Sequence, residues 1–341
     1  MIQIVAEIGC NHNGNKELAL RLVKSASESG ANAVKFQTFI SHDLVSKSAP
    51  KAEYQKKDDV QESQLEMLKK LELDPEDYIE IKKYADSLGI EIFSTAFDLA
   101  SIDFLKNIGQ RIWKIPSGEI TNLPYLEKIR DIKCQDKEII LSTGMSTVKE
   151  IQFAINILKK SPSTSFTILH CNTQYPTKPE DMNLKAMNVL KKLAPGWKIG
   201  LSDHSEGIVA SLVAVGIGTE FIEKHFTLDK KMKGPDHQAS ITPEELKKLC
   251  QKVREAEKML GNEEKKVSDS EKKNIFIVRK SIVAKKQISK GERFTEDNIT
   301  CKRPGNGISP IHWYKVLGKE AERDFVTDEL ISCKGVMWED E

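Results

Sequence analysis

The sequence predicts an α/β protein: a (β/α)8 barrel of the TIM type, followed by a small, mostly β domain. Three observations predict it. Eight short β-branched runs alternate with helical patterns up to residue 261, and eight βα units over roughly 250 residues are the size of such a barrel. Polar side chains gather at the C-terminal ends of the runs, where a barrel collects them around one mouth and the competing doubly wound sheet spreads them along an edge. Beyond residue 261 the pattern changes to short strands broken by Gly and Pro.

The strand-like runs are Ile2 to Gly9, Ala33 to Phe39, Ile90 to Phe97, Arg111 to Ser117, Glu138 to Met145, Ser165 to Asn172, Lys198 to His204 and Glu220 to Thr227. Helical periodicity follows each of them. The last helix shows it best, with Leu246, Leu249, Cys250, Val253, Ala256, Met259 and Leu260 on one face behind a Thr242-Pro243-Glu244-Glu245 start that combines an N-cap, a proline in the first turn and a capping-box Glu. The barrel is therefore expected over 1–261. Residues 262–273, rich in Glu, Lys and Ser, read as a solvated linker. Residues 274–341, with turns such as Lys290-Gly291 and Arg303-Pro304-Gly305, read as the small β domain, without a long helix.

Composition narrows the function. Lys and Arg number 52 against 51 Asp and Glu, a net charge of +1, which argues against a nucleic-acid protein driven by bulk positive charge. The longest apolar run, Gly207 to Gly218, is too short for a membrane span. The first residues show no basic region leading into an apolar one, so no signal peptide is expected and the protein reads as cytoplasmic. Six scattered cysteines without a CxxC pair fit reduced thiols. No G-x-G-x-x-G or Walker A string is present, which leaves a dinucleotide or NTP site without support.

Two lysines, Lys35 and Lys114, sit at strand ends where apolar residues belong. A buried ammonium needs an anion, so they either pair internally with Glu7 or Glu119, or join Thr95, Ser117, Ser142 and Ser202 around a ligand's phosphate and carboxylate. A Schiff-base lysine is a third reading. His204 and His225 close two adjacent strands and offer two imidazoles to one divalent ion, with positions left for water and substrate. Tyr175, before Pro176, is placed to line the mouth, whereas His12 reads as a loop residue bonded to its neighbours.

Read together, Ala6-Glu7-Ile8-Gly9-Cys10-Asn11-His12-Asn13-Gly14, Val34-Lys35-Phe36-Gln37-Thr38-Phe39, Lys114-Ile115-Pro116-Ser117-Gly118-Glu119, Gly200-Leu201-Ser202-Asp203-His204 and Gly234-Pro235-Asp236-His237 give the chain a specific likeness. It resembles the bacterial sialic acid (N-acetylneuraminate) synthase family nearly end to end, and Lys302-Arg303-Pro304-Gly305-Asn306-Gly307-Ile308-Ser309-Pro310 resembles that family's antifreeze-like (SAF) domain. The resemblance implies condensation of phosphoenolpyruvate with N-acetylmannosamine to N-acetylneuraminate and phosphate, assisted by Mn2+ or Mg2+. Legionaminate or pseudaminate synthesis is the nearest alternative. A metal-free lysine aldolase and a non-catalytic sugar-binding protein are more distant ones.

By the same resemblance Lys35, Thr95, Lys114, Ser117, Ser142 and Ser202 hold phosphoenolpyruvate. Asn172 joins them, although this chain has Asn172-Thr173 where some members have Thr-Asn. His204 and His225 hold the metal, and Glu7, Gln37, Glu119, Tyr175 and Asp236 face the sugar, with Glu7 or Glu119 as general base. Arg303 is expected from the second domain of a domain-swapped homodimer.

Overall fold

The computed structural model describes residues 1–46, 48–51, 63–162 and 164–336. The chain divides into two units, Met1–Gly261 and Asn262–Glu341. The last five residues of the expected β domain lie outside the described ones.

The first unit contains eight parallel strands: β1 (Gln3–Gly9), β2 (Ala33–Thr38), β3 (Glu91–Ala96), β4 (Ile112–Ile115), β5 (Lys137–Ser142), β6 (Thr164–Cys171), β7 (Lys198–Asp203) and β8 (Phe221–His225). Their hydrogen-bonded order runs β3-β2-β1-β8-β7-β6-β5-β4, and β3 and β4, the two ends of that order, pack together, so the sheet closes as the expected barrel. Helices follow the strands. The longest, Pro243–Leu260, starts at the capping box read from the sequence and buries Leu246, Leu249, Cys250 and Val253.

Successive side chains of a strand point to opposite faces, and this alternation organises the interior. One set of inward residues, Val5, Ala33, Phe93, Ile112, Ile140, Leu169 and Phe221, forms a buried apolar layer. Two residues further along each strand stand Glu7, Lys35, Thr95, Lys114, Ser142, Cys171 and Glu223, all nearly inaccessible. A greasy floor therefore lies directly beneath a polar layer at the mouth. The outward faces pack on the helices through a larger cluster containing Ile4, Val34, Leu141, Leu201 and Ile222.

In the second unit β9 (Ser281–Ala284) pairs antiparallel with β10 (Ile299–Lys302), over a core of its own that includes Ile282, Phe294, Val316 and Phe325. One expectation fails here. Within and beyond the stretch read as linker a helix runs over Asp269–Val278, opened by a capping box in which Ser268 and Glu271 bond each other's backbone N–H. Its apolar residues Ile275 to Val278 are consecutive instead of spaced by turns, so no stripe revealed it, and Phe276, Ile277 and Val278 remain exposed. Among the described residues no helix is long and apolar enough to cross a membrane.

Gly200 occupies β7's place in the floor, and a Cβ there would lie 2.4 Å from Leu169 Cδ2 and 2.8 Å from Phe221 Cβ. Gly200→Ala is expected to destabilise the protein by about 1–3 kcal/mol through overpacking, read as a lower urea midpoint. An unchanged midpoint would contradict this picture of the floor.

Candidate active site

The barrel mouth opens as a cavity of about 650 Å³. At its base lies a cluster of four buried charges. Lys35 forms an ion pair with Glu7, donates to Thr95 Oγ1 at 3.2 Å and stands 3.9 Å from Glu223. Lys114 Nζ donates to both oxygens of Glu223, at 2.8 and 2.7 Å, and Ser202 Oγ donates to the same carboxylate at 3.0 Å. Gln37 Nε2 donates to the other oxygen of Glu7 at 3.0 Å, and Gln37 Oε1 accepts from Cys10 Sγ at 3.2 Å.

The two carboxylates are driven apart. Burial raises Glu7 to about 7, helped by the charge of Glu223 and opposed by Lys35. Burial also acts to raise Glu223, but the Lys114 and Lys35 ammoniums outweigh it and hold that group at about 2. Glu223 is thus a fixed anion between two cations, while Glu7 exchanges its proton near neutral pH. Such divergence between neighbouring carboxyls is a mark of acid–base sites.

Beside this cluster, β7 and β8 bring two imidazoles together. The rings of His204 and His225 lie 5.3 Å apart at 62°, and Tyr175 stacks on His204 at 4.1 Å. His204 Nδ1 meets the Asn172 carbonyl at 2.5 Å, so Nδ1 carries the proton and Nε2 presents a lone pair, toward which Tyr175 Oη lies at 3.2 Å. His225 Nδ1 is buried without a hydrogen-bond partner and stands 3.6 Å from Asp236 Oδ2. Burial keeps both rings neutral, pulling His204 down to about 4 and His225 well below its ordinary value. Burial also lifts Asp236 to about 6. Two neutral imidazoles with available lone pairs fit a divalent cation.

Ser117, Ser142 and Ser202 line the cavity, and Ser117 Oγ accepts from Gly144 N at 2.9 Å. Against the charges stands an apolar wall of Phe39, Val45, Met67, Leu68 and Phe97.

Two of the expected residues stand outside the cavity lining. Asn172 does not face the cavity: its side chain turns back to Gln174 N and to the Asp181 carbonyl, while Thr173 lines the mouth. Glu119 sits outside the lining on a short 3-10 turn, Ser117–Glu119, with its carboxylate accepting from Asn122 at 2.6 Å, so the structure brings Glu7 and not Glu119 into the cavity. Lys114 accordingly pairs with Glu223 and not with Glu119. Glu223 falls inside the eighth strand-like run, and its place two residues before His225 puts it on the same inward face. Arg303 lies in the second unit, where its Nε donates to the Val278 carbonyl at 3.0 Å.

Breaking a buried pair from one side leaves an uncompensated charge. Lys114→Met is expected to cost about 3–5 kcal/mol, and Lys114→Met/Glu223→Gln to recover part of that loss in urea titrations. If the double variant is no more stable than the single one, the pairing is not what anchors Lys114.

The geometry now meets known proteins. The NeuB family model matches residues 22–265 and the SAF domain model residues 279–337. The chain is 51% identical over 331 residues to the N,N'-diacetyllegionaminic acid synthase of Campylobacter jejuni, covering 96% of this chain and 98% of that protein. It is 33% identical over 338 residues to the human N-acetylneuraminate-9-phosphate synthase, covering 97% and 93%. The crystal structure of an N-acetylneuraminic acid synthetase from Leptospira borgpetersenii, in complex with citrate, superposes with a TM-score of 0.72 at 35% identity, covering 80% of this chain and 90% of that one. With the family model matched over most of the barrel and 51% identity to a relative across 96% of the chain, this chain belongs to the NeuB family and carries a SAF domain.

Proposed function

We propose that the protein condenses phosphoenolpyruvate with an acetamido sugar to give a nine-carbon sugar acid and phosphate, and that its product is of the diacetylated, legionaminate type. The observation that carries the reaction is the pair of buried lysines, Lys35 and Lys114, surrounded by hydroxyls at the base of the mouth. The product class rests on 51% identity to a diacetyllegionaminic acid synthase against 33% to an N-acetylneuraminate-9-phosphate synthase. This moves the acceptor away from N-acetylmannosamine, the one first expected, toward a sugar bearing two acetamido groups. The apolar wall of Phe39, Met67, Leu68 and Phe97 suits the second acetyl methyl better than a hydroxyl.

In this mechanism Lys35, Lys114 and the hydroxyls of Thr95, Ser117, Ser142 and Ser202 hold the carboxylate and phosphate of phosphoenolpyruvate. Carbon 3 of the enol uses its C=C electron pair to bond the aldehyde carbon of the open-chain sugar, water adds at carbon 2, and the proton the water gives up passes through Glu7 to the former aldehyde oxygen. The tetrahedral adduct then breaks its C–O bond to release phosphate. Glu7, titrating at about 7, is the base that takes the proton of the water. His204 and His225 would hold a divalent cation, Mn2+ or Mg2+, which when bound supplies Lewis-acid polarisation of the aldehyde. Tyr175 and Asp236 orient the sugar's hydroxyls, and Arg303 of the SAF domain acts at the mouth of a partner barrel in a domain-swapped homodimer. The reaction runs without membrane or nucleic-acid partners.

Phosphate release with phosphoenolpyruvate against a panel of hexosamines tests the proposal. A diacetamido acceptor should give the highest kcat/KM, by about tenfold or more over N-acetylmannosamine. Activity should vanish after chelation and return with Mn2+. No release with any acceptor would overturn the reaction, and a preference for N-acetylmannosamine would overturn the product class.

Protonation adds a second check. Below about pH 7 Glu7 is neutral and frees Lys35 for the ligand; above it the carboxylate competes. Phosphoenolpyruvate affinity, measured by calorimetry, should therefore fall as pH rises through 7 in the native protein. The Glu7→Gln variant should lack this step and show only the ligand's own titration. Identical profiles would remove Glu7 from the anion site.

A further inference from the structure

Behind the two imidazoles, on the face of the barrel that turns toward the helices, lies a second buried ion pair that the chemistry above does not use. Lys224 and Asp203 are register partners on β8 and β7, with side chains 1% and 0% exposed. The lysine's Nζ reaches Asp203 Oδ2 at 3.1 Å, the Asp203 carbonyl at 3.3 Å and the Ser205 carbonyl at 2.7 Å. The aspartate's Oδ1 accepts from Ser205 N at 2.9 Å and Ser205 Oγ at 2.6 Å, and its Oδ2 accepts from Ser211 Oγ at 2.6 Å, on the helix Val209–Ile217. Three protons of an ammonium thus meet three acceptors, and each of these belongs to Asp203 or Ser205, the residues either side of His204, while the ammonium belongs to the residue just before His225.

The surroundings make this arrangement informative. Leu201, Ile222 and Phe226 along the two strands, and Ala210 and Ala214 on the helix Val209–Ile217, belong to the barrel-to-helix core, and the Lys230–Glu245 pair is the other charged feature within electrostatic reach of Lys224. An apolar pair of similar volume at such a site is commonly as stable as an ion pair, because taking two charges out of water is costly. What an apolar pair cannot do is fasten the carbonyls of residues 203 and 205 to one point, and so fix the peptides that bracket His204 relative to β8.

We propose that Lys224 and Asp203 are positioning residues that hold His204 and His225 at the separation required to share one divalent cation. The proposal rests on the metal reading of the two imidazoles given above. Neither residue touches the cation or the substrates; they act through the backbone that carries the ligands.

The test uses the full-length protein without substrates. Mn2+ binding is followed by loss of the free-ion EPR signal, phosphoenolpyruvate binding by calorimetry, and stability by urea denaturation. Lys224→Met/Asp203→Asn, which removes both charges together, should weaken Mn2+ binding by about tenfold to a hundredfold, with phosphoenolpyruvate affinity kept because Lys35 and Lys114 are untouched. Ser211→Ala, which deletes a single hydrogen bond to Asp203, should weaken Mn2+ less and in the same direction, and it decides the question if the double variant does not fold. Unchanged Mn2+ affinity in a folded variant overturns the proposal. So does a parallel loss of Mn2+ and phosphoenolpyruvate binding that tracks lost stability, since that marks a general structural role. If the native protein binds no Mn2+, the metal reading fails and this inference with it; native binding that the variants match removes the inference alone.

Discussion

Everything at the mouth follows from the two-residue period of a β-strand inside a closed parallel barrel. Once Val5, Ala33, Phe93, Ile112, Ile140, Leu169 and Phe221 are committed to a shared apolar layer, the residues two positions on must also point inward, and they include two lysines and two glutamates. Isolated charges there would be far too costly, so each must find a partner across the barrel. The pairs Lys35–Glu7 and Lys114–Glu223 answer that demand. The site is in this sense the price of continuing the strands past their floor.

Electrostatics then separates roles among similar groups. Glu223 lies between two ammoniums and stays ionised, whereas Glu7, more deeply desolvated than it is neutralised, keeps a proton to exchange. The imidazoles beside them are held neutral by the same burial. Two glutamates in one cavity thus carry different protonation states without any change of residue type, through position alone.

The sequence made the barrel legible because alternation and strand count are local signals: six observed strands fall inside the expected runs, and β5 and β6 each begin one residue before theirs. The lysines, serines and histidines at strand ends were legible for the same reason. Glu223 escaped a role because its partner Lys114 lies 109 residues away, and no local pattern reports such a pair. Asn172 and Thr173 could not be separated because the strand ends at Cys171 and parity lapses in the loop. Glu119 fails likewise: Pro116 ends the extended run, and the 3-10 turn that follows has its own direction. In the second unit, the helix Asp269–Val278 hid behind a charged composition that resembles a linker.

The floor beneath the mouth has a consequence for traffic. Among the described residues, Phe93, Ile140, Leu169 and Phe221 are buried in one layer beneath the charged one and Gly200 leaves no room there even for a Cβ, so a molecule seated on Lys35 and Lys114 would arrive and depart past whatever occupies the space above. A ligand that binds deep must enter before the one that binds shallow and wait for it to clear before leaving. The order of a two-substrate reaction in such a vessel is thus set by depth, through a queue built into the packing, whatever the intrinsic affinities of the two partners.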